Sequence, residues 1–144
     1  MSERLSSRFE IKFRISQEQA AIGKVLFRDI FKQDSRPEYM VQSIYFDSPE
    51  YDFYTEKIEG LLVRVKPRLR IYRSTVNYEP LGYFFEFKNR SDKHTHKERI
   101  EIAEDQALEI VSGKVPDSHS PVIKKLEYFL SAANLKPAVN ILYK

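Results

Sequence analysis

The residues with chemistry in them stand at every second position of several short segments. Arg64, Lys66, Arg68 and Arg70 alternate with Val63, Val65, Leu69 and Ile71. Successive side chains of a strand point to opposite faces, so these four cations share one face. Like charges on a strand face repel, and no acid stands among these four. A bound anion would supply the counter-charge. Arginine suits phosphate because its planar fork donates two parallel hydrogen bonds, while lysine adds a point charge.

The alternation recurs. Arg8, Glu10, Lys12 and Arg14 oppose Phe9, Ile11, Phe13 and Ile15; Glu86 and Lys88 oppose Phe85 and Phe87; Lys97, Arg99 and Glu101 oppose Ile100 and Ile102. Of these thirteen ionic residues ten are basic and three acidic, although the whole chain carries only +3. One charged strand face is ordinarily just solvated. Four with the same sign bias point instead to a shared concave surface, an anion tunnel or groove.

Strands to carry these faces are expected over 8–15, 40–47, 61–73, 83–89 and 97–102, with a last one beginning at Pro137. Ser16 and Gln19 have the spacing of a capping box, and Ile22, Val25, Leu26 and Ile30 follow at helical spacing, predicting a helix over 17–32. Ser48 and Pro49 resemble the start of a short helix reaching Glu59. Helices are also expected over 104–112 and after Ser120–Pro121, and amphipathic helices would cover the apolar strand faces from outside. Pro67 cannot donate to a ladder, so it suggests an edge or bulge. The fold class is α+β: an antiparallel β tunnel or barrel, half or incomplete, with helices packed outside.

The 144 residues suit one domain with a real core. The absence of cysteine excludes disulfides, zinc–thiolate sites and thiol nucleophiles. No apolar run approaches the roughly 20 residues that span a bilayer, and no signal peptide precedes Arg4 and Arg8, so a cytoplasmic protein with no membrane segment is expected. There is no G-x-x-x-x-G-K-[ST] loop, so a nucleotide would be held by side chains. His94 and His96, in a polar connection over 90–96, read as solvated loop residues more readily than as a metal pair with Asp92. Asp47 and Asp52 have ordinary capping and turn roles. Most of the 10 Phe fall on apolar faces and read as core.

Taken in order, Arg8-Phe-Glu-Ile-Lys12, Ser43-Ile-Tyr-Phe-Asp47, Tyr54 with Lys57 and Gly60, Lys66-Pro-Arg-Leu-Arg-Ile-Tyr72, Phe85-Glu-Phe-Lys88, and Lys97 with Arg99 resemble the VTC catalytic domain. That family belongs to the triphosphate tunnel metalloenzymes, relatives of the CYTH proteins. The resemblance covers essentially residues 1–144, taken as a single tunnel domain truncated on its C-terminal side. It implies a phosphotransferase that moves the γ-phosphoryl group of ATP onto a polyphosphate chain, assisted by Mn²⁺ or Mg²⁺. Lys12, Arg68, Arg70, Lys88 and Lys97 would be catalytic. Arg8, Arg14, Lys66 and Arg99 would bind substrate, and Glu10 and Glu86 would be the metal candidates, Glu86 alternatively orienting neighbouring cations. The expected partners are ATP and inorganic polyphosphate or triphosphate, with no nucleic acid, and a homodimer could close the tunnel. The other readings are a tunnel-type triphosphatase, a non-catalytic polyanion-binding module and, behind these, a nucleic-acid binder.

Overall fold

The structure, a computed structural model, describes residues 13–31, 38–92 and 94–144. The chain forms two compact units, one within Phe9–Glu38 and one holding Tyr39–Lys144.

The first unit contains helix α1 (Gln17–Phe27). Its start is the expected capping box: Ser16 Oγ accepts from the Gln19 amide at 3.1 Å, and the Ser16 amide donates back to Gln19 Oε1 at 2.8 Å. Ile22, Val25 and Leu26 are exposed. The helix ends five residues before the expected Lys32, because its last turn loosens into i→i+3 bonds such as Ile30 N–H to Phe27 O at 3.1 Å. Residues 13–15, the described end of the predicted first strand, are exposed and form no strand. Alternation alone does not supply the partners that strand backbone groups require.

The second unit is one sheet with helices on a single face. Strands β1 (Tyr39–Asp47), β2 (Val63–Ser74), β3 (Pro80–Ser91), β4 (His94–Ile102) and β5 (Lys136–Tyr143) are all antiparallel, in the order β4-β3-β2-β1-β5. Among the described residues the sheet does not close into a barrel, and β4 and β5 are its outermost strands. Helices α2 (Asp52–Ile58), α3 (Glu104–Val111) and α4 (Pro121–Ala132) bury Phe53, Ala107, Ile110, Val122, Ile123 and Leu126 against Phe46, Leu69, Ile71, Phe85, Phe87 and Ile102. Phe46, Phe85, Phe87, Phe129 and Phe53 form a chain of rings with centroids 5.3–5.9 Å apart. Lys125 pins α4 to this face by donating to Glu98 at 2.9 Å and to Asn89 at 3.3 Å.

Three local expectations are corrected. Pro67 lies fully buried in the central strand, not at a sheet edge. The β1 ladder ends at the Tyr45–Arg68 pair, one residue short of Pro67, so the missing N–H leaves no β1 partner unsatisfied. Helix α2 starts at Asp52, not at Pro49, because Asp47 caps it from a distance: its carboxylate accepts from the Phe53 and Tyr54 amides, each at 3.0 Å. Tyr51 takes a left-handed φ of 61° to make that entry. His94 and His96 belong to β4 rather than to a loop, since β3 and β4 run on to a tight turn at Asp92.

Candidate anion-binding site

The face of the sheet away from the helices carries the predicted cations. Directly opposed residues of antiparallel strands share a face, so the register sorts them into rows. Lys66 stands opposite Lys88, and Lys88 opposite Lys97. In the next row Tyr45, Arg68, Glu86 and Arg99 follow one another across β1, β2, β3 and β4. The third row is Ser43, Arg70, Phe84 and Glu101. Rows lie two residues apart along a strand, roughly 7 Å.

Glu86 organises the centre. Its side chain is 0% exposed, and its Oε1 accepts from Arg68 Nε at 2.6 Å and also meets Arg68 Nη2. Arg70 Nη1 stands 3.9 Å from the same oxygen. Arg68 Nη1 donates to the Tyr45 hydroxyl at 3.0 Å, and Arg70 Nη2 reaches the Tyr143 hydroxyl at 3.4 Å. Both guanidiniums are therefore held from the side, with side chains only 14% and 15% exposed. At the far end Arg99 stacks 3.6 Å from the Phe84 ring centroid and 5.3 Å from that of Tyr72, while Arg70 lies 5.0 Å from Tyr72. Cations over aromatic faces are attracted by the ring quadrupole.

Glu86 and Glu101, the two carboxylates of these rows, do not neutralise their six cations. Lys66 has its pKa pushed below the ordinary lysine value by burial and by the charges of Lys57, Arg64, Lys88 and Arg68. Lys97 is pushed the same way: burial is the largest cause, Glu86 opposes it, and Arg99, Arg70 and Arg68 add to it. Burial disfavours the charge of Arg68, yet Glu86 and Tyr45 hold its pKa above the ordinary arginine value. Burial likewise raises the Tyr143 phenol, but a hydrogen bond with Ser43 and the charges of Arg70 and Arg68 bring it below its ordinary value. These shifts describe a surface with surplus positive charge.

Lys66, Arg68, Arg70, Lys88, Lys97 and Arg99 are thus brought together on one face, as the alternation implies. Arg8, Glu10 and Lys12 lie outside the described residues. Arg14 is described but exposed, on no strand and in the unit of α1. Tyr45, Ser43, Tyr143 and the Tyr72–Phe84 pair were not foreseen as parts of the site. Ser43 and Tyr45 share one parity on β1, which alternation could have revealed; the role of Tyr143 depends on long-range pairing.

The residues described do not fit a resident divalent metal. Hard cations take several oxygen ligands, and no group of three or more His, Asp or Glu able to hold a metal occurs among the described residues. Oε1 of Glu86 is committed to Arg68, and Oε2 is buried. The Asp47 carboxylate is spent on backbone amides, and Ser48 and Asp52 bond each other at 2.7 Å. His96 faces Glu98 at 3.9 Å, next to the Lys125 anchor.

The VTC domain family model matches residues 6–144. The chain belongs to the VTC domain family. No curated protein matches it. VTC domains are associated with polyphosphate polymerase function, and the basic face supplies the kind of surface that handling a phosphate chain requires. Among the described residues no helix is long and apolar enough to cross a membrane.

Proposed function

We propose that this VTC domain is a polyphosphate-polymerase-type phosphotransferase, holding ATP and a polyphosphate chain on the basic face and moving the γ-phosphoryl group onto the chain. The observation that carries this reading is the convergence of Lys66, Lys88 and Lys97 with Arg68, Arg70 and Arg99 on one sheet face. Phosphoryl transfer is mostly positioning and stabilisation of charge on phosphate oxygens, so it needs no protein nucleophile. Arg68 and Arg70, held in place by Glu86, Tyr45 and Tyr143, are suited to clamp phosphate oxygens. Lys66 and Lys97, whose pKa values are lowered by burial first and by neighbouring cations second, would have their charge favoured by a bound polyanion. Lys12 and Arg8 are assigned to phosphate binding through the family motif. Mn²⁺ or Mg²⁺ belongs to this reading as a companion of the substrate phosphates.

A homodimer through β5 is also part of the proposal. That edge exposes Val139, Ile141, Leu142 and Tyr143 and carries no charge between Lys136 and Lys144. Natural sheets usually blunt such an edge. Antiparallel pairing of two identical edges about a twofold axis normal to the sheet keeps both basic faces on the same side.

The test is incubation with ATP and Mn²⁺, followed by gel analysis for long-chain phosphate. Chain growth that is lost in Arg68→Ala/Arg70→Ala is the expected result. Released phosphate without chain growth would replace the polymerase by a triphosphatase. Tight polyphosphate binding without turnover would replace it by a binding module.

A further inference from the structure

Three buried polar atoms of the basic face have no hydrogen-bond partner among the described residues, and they belong to one small neighbourhood. They are Ser43 Oγ, Arg70 Nε and Glu86 Oε2. Ser43 and Glu86 are both 0% exposed. Ser43 stands directly opposite Arg70 in the β1–β2 ladder, and Arg70 Nη1 lies 3.9 Å from Glu86 Oε1, beyond hydrogen-bonding reach. Leaving a buried donor or acceptor unpaired is costly. The facing pair is complementary, since Arg70 Nε can only donate and Ser43 Oγ can accept.

The two central arginines differ in how firmly they are held. Arg68 has Nε and Nη2 on Glu86 and Nη1 on Tyr45, so every nitrogen of its fork is engaged. Arg70 has one long contact, 3.4 Å from Nη2 to the Tyr143 hydroxyl, and lies 5.0 Å from the Tyr72 ring. Tyr143 stands opposite Val41 on β1, a diagonal neighbour of Ser43. Ser43 is close enough to favour the ionised form of that phenol, yet the interaction falls short of a full hydrogen bond. A hydroxyl has one proton to donate and two lone pairs that accept. Ser43 can therefore turn its proton toward Tyr143 and accept from Arg70 Nε at the same time.

We propose that Ser43 is a positioning residue for Arg70: when an anion binds, the guanidinium draws toward β1, Nε donates to Ser43 Oγ, and Nη1 and Nη2 are turned end-on to the phosphate oxygens. The inference rests on the phosphate reading of the basic face, and it adds a division of labour. Arg68 is locked by protein groups alone, whereas Arg70 completes its hydrogen bonds with the ligand in place. Ser43 is fully buried and does not touch the anion, so it acts through Arg70.

The test is calorimetric binding of inorganic tripolyphosphate to the wild-type chain and to Ser43→Ala, with urea unfolding of both in the absence of the anion. The substitution removes a hydroxyl that lacks a full partner in this structure, so unfolding stability should hold while affinity falls on the order of fivefold. In an Arg70→Lys background, where the Nε donor is gone, Ser43→Ala should change affinity by less than about twofold. In a Tyr143→Phe background it should keep its full effect. By nuclear magnetic resonance, the wild-type Arg70 Nε–H should shift and exchange more slowly with water once tripolyphosphate saturates the chain. Unchanged affinity in Ser43→Ala, an equal loss in the Arg70→Lys background, an effect that vanishes with Tyr143→Phe, or a drop in ligand-free stability would each overturn the positioning role and leave the phosphate reading standing. Should Ser43→Ala fail to fold, the wild-type Nε–H signal decides alone, and exchange that does not slow overturns the role. Failure of the wild-type chain to bind tripolyphosphate would overturn both.

Discussion

Replacing Glu86 by Gln should weaken the fold and strengthen anion binding at once. The substitution keeps the side-chain volume and one acceptor oxygen but removes the negative charge from a fully buried position. Arg68 keeps only a neutral acceptor where its Nε and Nη2 groups had a carboxylate, and Arg70 loses a carboxylate 3.9 Å away. Removing one partner of a buried ion pair costs about 3–5 kcal/mol. Arg68 keeps its bond to Tyr45 and some contact with water, which places the loss near the lower end, about 3 kcal/mol. An anion on this face no longer feels a neighbouring carboxylate. Two unit charges about 4 Å apart interact by about 1 kcal/mol even at the dielectric constant of water, so tripolyphosphate affinity should rise roughly five- to tenfold. Urea unfolding with and without saturating tripolyphosphate reads both effects, and the ligand should stabilise the variant more than the wild type. A stability loss under about 1 kcal/mol, or an affinity that falls in a variant still folded, would refute the assignment of Glu86 as the internal counter-charge of the clamp.

Other expectations follow from the same geometry. Phe87→Ala, at 0% exposure in the ring chain, should lose about 3–5 kcal/mol in urea unfolding. Asp47→Ala removes the acceptor for three amides and should cost about 2 kcal/mol, with faster amide exchange confined first to α2. Because Lys66 and Lys97 have lowered folded-state pKa values, they deprotonate at a lower pH than an ordinary lysine, whose value is 10.5. Tripolyphosphate affinity should therefore fall as pH rises through that window. In the same window the unfolded chain binds more protons than the folded one, so the contribution of these two lysines to the stability of the ligand-free protein should rise with pH. Calorimetric titrations and urea unfolding along a pH series check the two signs. Sedimentation should show a dimer that Ile141→Lys, a charge placed on the β5 edge, converts to monomer.

The face was legible in the sequence because strand parity is strictly local. Arg64 to Arg70 alternate with apolar residues whatever their neighbours are, and so do Glu86 and Lys88 with Phe85 and Phe87. Properties set by distant partners were not legible. Pro67 looked like an edge residue, but its acceptability depends on where the β1 ladder stops. The α2 start was misplaced because its cap, Asp47, reaches forward six residues to the Phe53 amide. The His94–His96 segment is polar at every position, so it shows no alternation and gave no sign of being strand. Tyr143 enters the site through pairing of β5 with β1, a contact separated by most of the chain. The sheet was expected to curve toward a tunnel. Five strands in one open order show how much of such a wall the residues from Tyr39 onward build.

The most direct test of the central claim is a nuclear magnetic resonance titration of the arginine and lysine side chains with inorganic tripolyphosphate. The signals of Lys66, Arg68, Arg70, Lys88, Lys97 and Arg99 should move together and saturate at one concentration. Those of Lys114 and Lys124, which lie after α3 and on α4, away from the sheet's basic rows, should stay put. Shifts spread evenly over all the lysines, or confined to the most exposed ones, would show that these cations do not act as one anion-binding surface.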